Sequence, residues 1–115
     1  MSIKENSKIE FIEGGEGAKI KQYFEPRNTS NGINYSIAQF SLKVGEKTKL
    51  HKIKSSEIYY ILEGEGKLKI NEEIFQLKKD DSAYVPPNSK QNIENIGMKI
   101  LRFVWIVEPA WNEKD

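Results

Sequence analysis

The chain carries a single histidine, His51, and six positions later a glutamate, Glu57. An imidazole oriented by a carboxylate is a usable general base, and Tyr59, two residues further on, could supply an acid. The same donor types also suit divalent transition metals such as Fe, Mn, Ni, Cu or Zn. A plainer role is open to the pair as well. Buried polar groups need partners, so His51 and Glu57 could be hydrogen-bonded to each other inside a partly apolar cavity with no chemistry attached.

What decides among these is how the backbone presents the side chains. His51 lies on a short extended run and Glu57 opens a second, within a stretch that reads GEKTKLHKIKSSEIYYILEGEG from Gly45 to Gly66. In a strand, side chains alternate between faces. His51 therefore shares a face with Ile53, and Glu57 shares one with Tyr59 and Ile61. A bend at residues 54–56 that folds the two runs antiparallel would bring imidazole and carboxylate into one space.

The rest of the chain reads as a container for that space. Residues 1–8 are polar and are expected to form a loose arm. Residues 9–12 and 18–24 are strand candidates, separated by Gly14, Gly15 and Gly17. A phosphate-binding loop needs a strand before its glycines and a helix after them, whereas an extended run follows here, so the cluster reads as a connector. Residues 26–32, PRNTSNG, are turn chemistry throughout. Along residues 33–44, Ser36, Ala38, Phe40, Leu42 and Val44 fall on one face. Asn71 and Glu72 mark a hairpin tip, Asp80 and Asp81 a turn, and Pro86 to Ser89 an irregular loop. Residues 98–107, MKILRFVWIV, form the longest apolar run, and its end is apolar on both faces, as in a strand covered twice. Trp111 in the tail is expected to dock back onto the body.

No stretch sustains an apolar period near 3.6, and strand candidates recur with turn signals between them. That pattern predicts an all-β sandwich or barrel. Phe40, Phe103 and Trp105 are candidates for a ligand-cavity wall, with core packing as the plainer reading. Trp105 is the first choice for that wall, because its indole N–H needs a partner.

Composition narrows the function classes. Lysine plus arginine number 18 and aspartate plus glutamate 17, interleaved without a basic stripe, so no nucleic-acid partner is expected. There is no cysteine, hence no disulfide framework or thiolate metal site. No apolar run reaches membrane-spanning length and the opening residues lack a signal-peptide pattern, so no membrane partner and a cytoplasmic location are expected.

The spacing of the central residues resembles the cupin family of small double-sheet β-barrels. Its first motif, G-x5-H-x-H-x3-E-x6-G, aligns with Gly45, His51, Glu57 and Gly64, with Ile53 at the second histidine. Its second, G-x5-P-x-G-x2-H-x3-N, aligns with Pro86 and Asn95, with Asp80, Asn88 and Gln91 replacing glycine, glycine and histidine. The resemblance implies a jelly-roll barrel over residues 9–108, an arm at 1–8 and a tail at 109–115. Asn88 tolerates the left-handed backbone that a turn glycine supplies, and Asp80 is expected to do the same. Metal-binding cupins hold a divalent metal with three histidines and a glutamate. By that resemblance any metal here would rest on His51, Glu57 and Gln91 alone, because Ile53 donates nothing. The implied function is a small-molecule-binding cupin with a degenerate metal site, sensor-like or without catalysis. The alternative is a cupin enzyme: a metal-dependent dioxygenase or isomerase, or a metal-free sugar epimerase or isomerase using His51 and Glu57, with Tyr59 as an acid. Either way Phe40, Ile53, Gln91, Phe103 and Trp105 would line the cavity. Cupins of this size also pair as homodimers, often through N-terminal strands, for which residues 9–12 and 18–24 are candidates.

Overall fold

The computed structural model describes residues 3–13 and 18–110 and is built almost wholly of antiparallel strands in two facing sheets. One sheet has six strands in the order β1 (Ile12–Glu13), β2 (Lys19–Phe24), β3 (Ser36–Leu42), β10 (Leu101–Glu108), β5 (Ser56–Glu63) and β8 (Ser82–Val85). The other has four, in the order β4 (His51–Ile53), β9 (Ser89–Asn95), β6 (Glu65–Ile70) and β7 (Glu73–Lys78). The expected all-β double-sheet barrel is present. The core lies between the sheets and is made by alternation. Leu101, Phe103, Trp105 and Val107 of β10 face inward with Ala38, Phe40 and Leu42 of β3, Tyr59 and Ile61 of β5, and Ile93 of β9.

The turns show why particular residues stand where they do. Asp80 and Asn88, at the positions of two motif glycines, have φ of 72° and 64°, the left-handed region that the sequence predicts for them. Gly64 has φ of 87°, and a Cβ there would lie 2.5 Å from the Ile100 carbonyl oxygen, so this turn requires glycine twice over. Asn71 turns the β6–β7 hairpin with φ of 54°. Ser30 and Asn31 likewise take positive φ after the short 3₁₀ turn Pro26–Asn28, which makes the Asn28-Thr29-Ser30 triplet part of a turn, as read from the sequence.

Several expectations are corrected. Strand β3 ends at Leu42, and Val44 is exposed, because a turn closed by the bond from Glu46 N–H to the Lys43 carbonyl takes Val44 out of the alternation. Strand β10 starts at Leu101, leaving Met98 in solvent. The buried Asn95 amide donates to the carbonyls of Leu42 and Lys99, and its oxygen accepts from Gly97 N–H, so the segment before Leu101 is held as a loop. The outward Val104 and Ile106 of β10 are only half-buried: the strand is flanked by β3 and β5 and not covered by a second layer. Residues 3–8 are exposed throughout, and Asn6 ties them to β2 by accepting from the Tyr23 hydroxyl at 2.8 Å and the Lys21 ammonium at 3.0 Å. Of residues 9–12 only Ile12 enters a strand, pairing with Ile20. Gly14, Gly15, Gly17 and Trp111 lie outside the described residues.

Candidate functional site

His51 and Glu57 do not lie on a paired hairpin. The bend after Ile53 sends the chain across the barrel, so β4 joins the four-stranded sheet and β5 the six-stranded one. Both residues still sit on inward faces. His51 follows the alternation that buries Ile53, and Glu57 the alternation that buries Tyr59 and Ile61. The imidazole and the carboxyl therefore belong to opposite walls of one interior. Across β4–β9, His51 is the register partner of Gln91, which brings the amide to the imidazole's side of the barrel. Across β5–β10, Tyr59 is the partner of Trp105.

The hydrogen bonds redistribute the partners expected from spacing. Glu57 is not bonded to His51. Its Oε1 accepts from the indole N–H of Trp105 at 2.7 Å. Its Oε2 is buried and is the one buried side-chain polar atom among the described residues with no partner. Burial pushes the Glu57 carboxyl up to about 7, and the Trp105 hydrogen bond only partly offsets this. The Nδ1 of His51 lies 2.8 Å from the Lys49 carbonyl oxygen. A carbonyl can only accept, so Nδ1 carries the proton, and Nε2 of the neutral ring is left as an acceptor. Tyr59 donates its O–H to Oε1 of Gln91, deep in the barrel. Burial, and then the Glu57 charge, push the Tyr59 phenol well above its ordinary value, which makes it a weak acid.

Aromatic rings fill the space beside Glu57. Phe40 stacks on Phe103 with centroids 5.2 Å apart and meets Trp105 edge-on at 5.3 Å, and Tyr59 tilts against Phe103 at 5.3 Å. The four rings form one cluster, so the core-packing reading and the cavity-wall reading describe the same residues. Phe103 is 1 % exposed, whereas Phe40 and Trp105 keep 9 % and 7 %, so the exposure left on this cluster falls mainly on those two rings.

The donors do not fit a resident transition metal. Ile53 is fully buried and has no donor, and the Gln91 oxygen is a neutral, weak ligand that already accepts from Tyr59. That leaves His51 Nε2 and Glu57 Oε2, one from each wall. No group of three or more His, Cys, Asp or Glu among the described residues is placed to hold an ion. Every site residue expected from the sequence faces the interior. What spacing could not supply was the choice of partner, which depends on distances across the barrel. The inward-facing Ser36 and Ala38 of β3 were not singled out either, although their alternation with Phe40 was legible.

Comparison with known proteins agrees with this architecture. The cupin domain family matches residues 38–107. An uncharacterized protein of Methanocaldococcus jannaschii is 40% identical over 101 residues, covering 87% of this chain and 80% of that protein. An oxalate-binding protein of Thermotoga maritima is 28% identical over 101 residues, covering 87% of this chain and 84% of its own length. Among solved structures, an RmlC-like cupin from Shewanella frigidimarina superimposes with a TM-score of 0.84 at 18% identity, covering 100% of this chain and 96% of that one. With two facing antiparallel sheets, both motifs in order and a family match over most of its length, the chain belongs to the cupin family.

Proposed function

We propose that this protein binds a small organic molecule inside the barrel, at the free oxygen of Glu57 on a degenerate metal site that works without a resident metal. The observation that carries this reading is the Glu57 carboxyl, with one oxygen fixed by Trp105 and the other buried without a partner. A desolvated carboxyl with an orphan oxygen costs the empty protein free energy that a ligand's hydrogen bond would return. The small-molecule name of the Thermotoga maritima relative supports binding as the class of activity. The homodimer belongs to the same proposal. It is supported by Ile58, Tyr60 and Tyr84, exposed together on the outer face of the register-paired strands β5 and β8.

The test is elemental analysis of protein purified without added metal or a metal-binding tag, alongside native mass spectrometry of the same sample. The expected result is metal far below one ion per chain, even after soaking with Fe, Mn, Ni, Cu or Zn, with saturable binding of small molecules that Glu57→Gln weakens. Stoichiometric metal that disappears in His51→Ala would overturn the metal-free reading.

A second reading is favoured by one specific observation. A carboxyl poised at about 7 on one wall, facing an opposite wall that carries the His51 imidazole, is suited to moving protons at neutral pH. In that case the protein is a metal-free isomerase in which Glu57 and His51 exchange protons with the substrate. Unchanged turnover of an identified substrate in His51→Ala would rule this mechanism out.

A further inference from the structure

Resting on the small-molecule-binding reading, we propose that the ligand is a primary ammonium compound with an aromatic or aliphatic body, and not a carboxylate or dicarboxylate. The inference comes from an inventory of charge and hydrogen-bonding capacity between the sheets. The donors around the site are already committed. The Trp105 indole N–H goes to Glu57, the Tyr59 O–H to Gln91, and the His51 Nδ1–H to the Lys49 carbonyl. Gln91 retains its neutral amide N–H groups, which can hydrogen-bond to an anion but cannot neutralise one. Two positions stay open: His51 Nε2, and Glu57 Oε2, which accepts in the ionised form of the carboxyl, the form that an ammonium partner favours.

Charge points the same way. The buried polar and charged residues among those described are Ser36, Ser41, Ser55, Glu57, Ser89, Gln91 and Asn95, with no lysine or arginine. An anionic ligand would meet an acidic oxygen with no interior cation to offset it, and the donor set does not supply a metal to take that role. An ammonium meets the opposite conditions. It can donate to Glu57 Oε2 and form an ion pair in a desolvated setting. Its positive charge is also stabilised by the aromatic ring of Trp105, which lies against the same carboxyl, with Phe40 edge-on to that indole. Phe40 and Trp105 keep more exposure than Phe103, and Trp105 is the ring bonded to Glu57.

The test compares probes of matched shape that differ in charge. ¹⁵N-labelled protein carrying Trp111→Phe, which leaves a single indole, is titrated separately with benzylammonium, benzyl alcohol, benzoate and oxalate while the Trp105 indole N–H signal is followed. Benzylammonium is expected to shift that signal saturably and to bind about tenfold or more tightly than benzyl alcohol, with benzoate and oxalate inert. Glu57→Gln is expected to remove the preference for the ammonium while leaving the weak alcohol binding in place. The probe series in protein with native Glu57 stands on its own should that variant not fold. Equal binding of ammonium and alcohol, or tighter binding of benzoate or oxalate, overturns the ligand class and leaves the binding reading standing. Silence from all four probes overturns both.

Discussion

At the scale of single residues, Glu57 makes the molecule's stability depend on pH in an unusual direction. Its folded-state value is raised from 4.5 to about 7, so between those limits the folded protein holds more of this proton than the unfolded chain does. Stability contributed by Glu57 is therefore complete below about 4.5 and falls as pH rises toward 7, by roughly 3 kcal/mol in all. Urea unfolding of the wild type against Glu57→Gln checks this. The variant should lack the decline and become the more stable of the two above pH 7. Trp105→Phe tests the other half of the pair, because it leaves both carboxylate oxygens unpartnered. It is expected to cost about 1–3 kcal/mol and to push the Glu57 carboxyl higher still, followed by carboxyl NMR. The residues of this candidate site were legible one by one, since alternation gave the shared faces of His51, Glu57, Tyr59, Phe40 and Trp105, and the motif resemblance gave Gln91. Their pairing was not. Six residues of separation along the chain say nothing about a gap between two sheets, and the indole that takes Glu57 lies 48 positions away.

At the scale of elements, the turns carry more of the specification than the strands. Asn88 holds φ of 64°, where a β-branched side chain is strained and glycine is not. Asn88→Val is expected to lower stability by about 1–2 kcal/mol while Asn88→Gly stays within a few tenths, both measured by thermal unfolding. Asn95 stitches the end of β3 to the loop before β10 with three hydrogen bonds, all buried or part-buried. Asn95→Ala should cost about 2–3 kcal/mol through the orphaned carbonyls and the Gly97 N–H. The glycine-to-asparagine and glycine-to-aspartate changes could be understood from the sequence because left-handed backbone is a local property of one residue. The early end of β3 and the late start of β10 could not, because they follow from the turn closed between Lys43 and Glu46 and from the buried Asn95 side chain, whose bond to Leu42 spans 53 positions.

At the scale of the whole molecule, the outer face of the six-stranded sheet sets the expectation for assembly. Ile58 pairs with Tyr84 and Ile106 across β5, and Tyr60 stands beside them, so the exposed apolar side chains form a patch and are not scattered. In the homodimer reading a second copy covers this patch. Light scattering after size exclusion should give twice the 13.3 kDa chain mass, and Ile58→Lys together with Tyr84→Lys should return it to the monomer. A monomeric wild type would remove the dimer from the proposal. Of the N-terminal strands expected to join a partner's sheet, β2 is paired on both sides within the chain and β1 forms the edge of the six-stranded sheet.

The two walls of the site differ in how freely they can be rewritten. Trp105 and Phe103 stand on β10, which is flanked on both sides and packed through the middle of the larger sheet. His51 stands on β4, a three-residue strand with β9 as its sole neighbour, at the rim of the smaller sheet. A replacement on the central wall disturbs packing everywhere around it, while a replacement at position 51 touches little besides what enters the barrel. In the small-molecule-binding reading, descendants of this chain would therefore change their choice of guest first at the rim, trying new side chains at position 51 while the aromatic floor beneath is inherited unaltered.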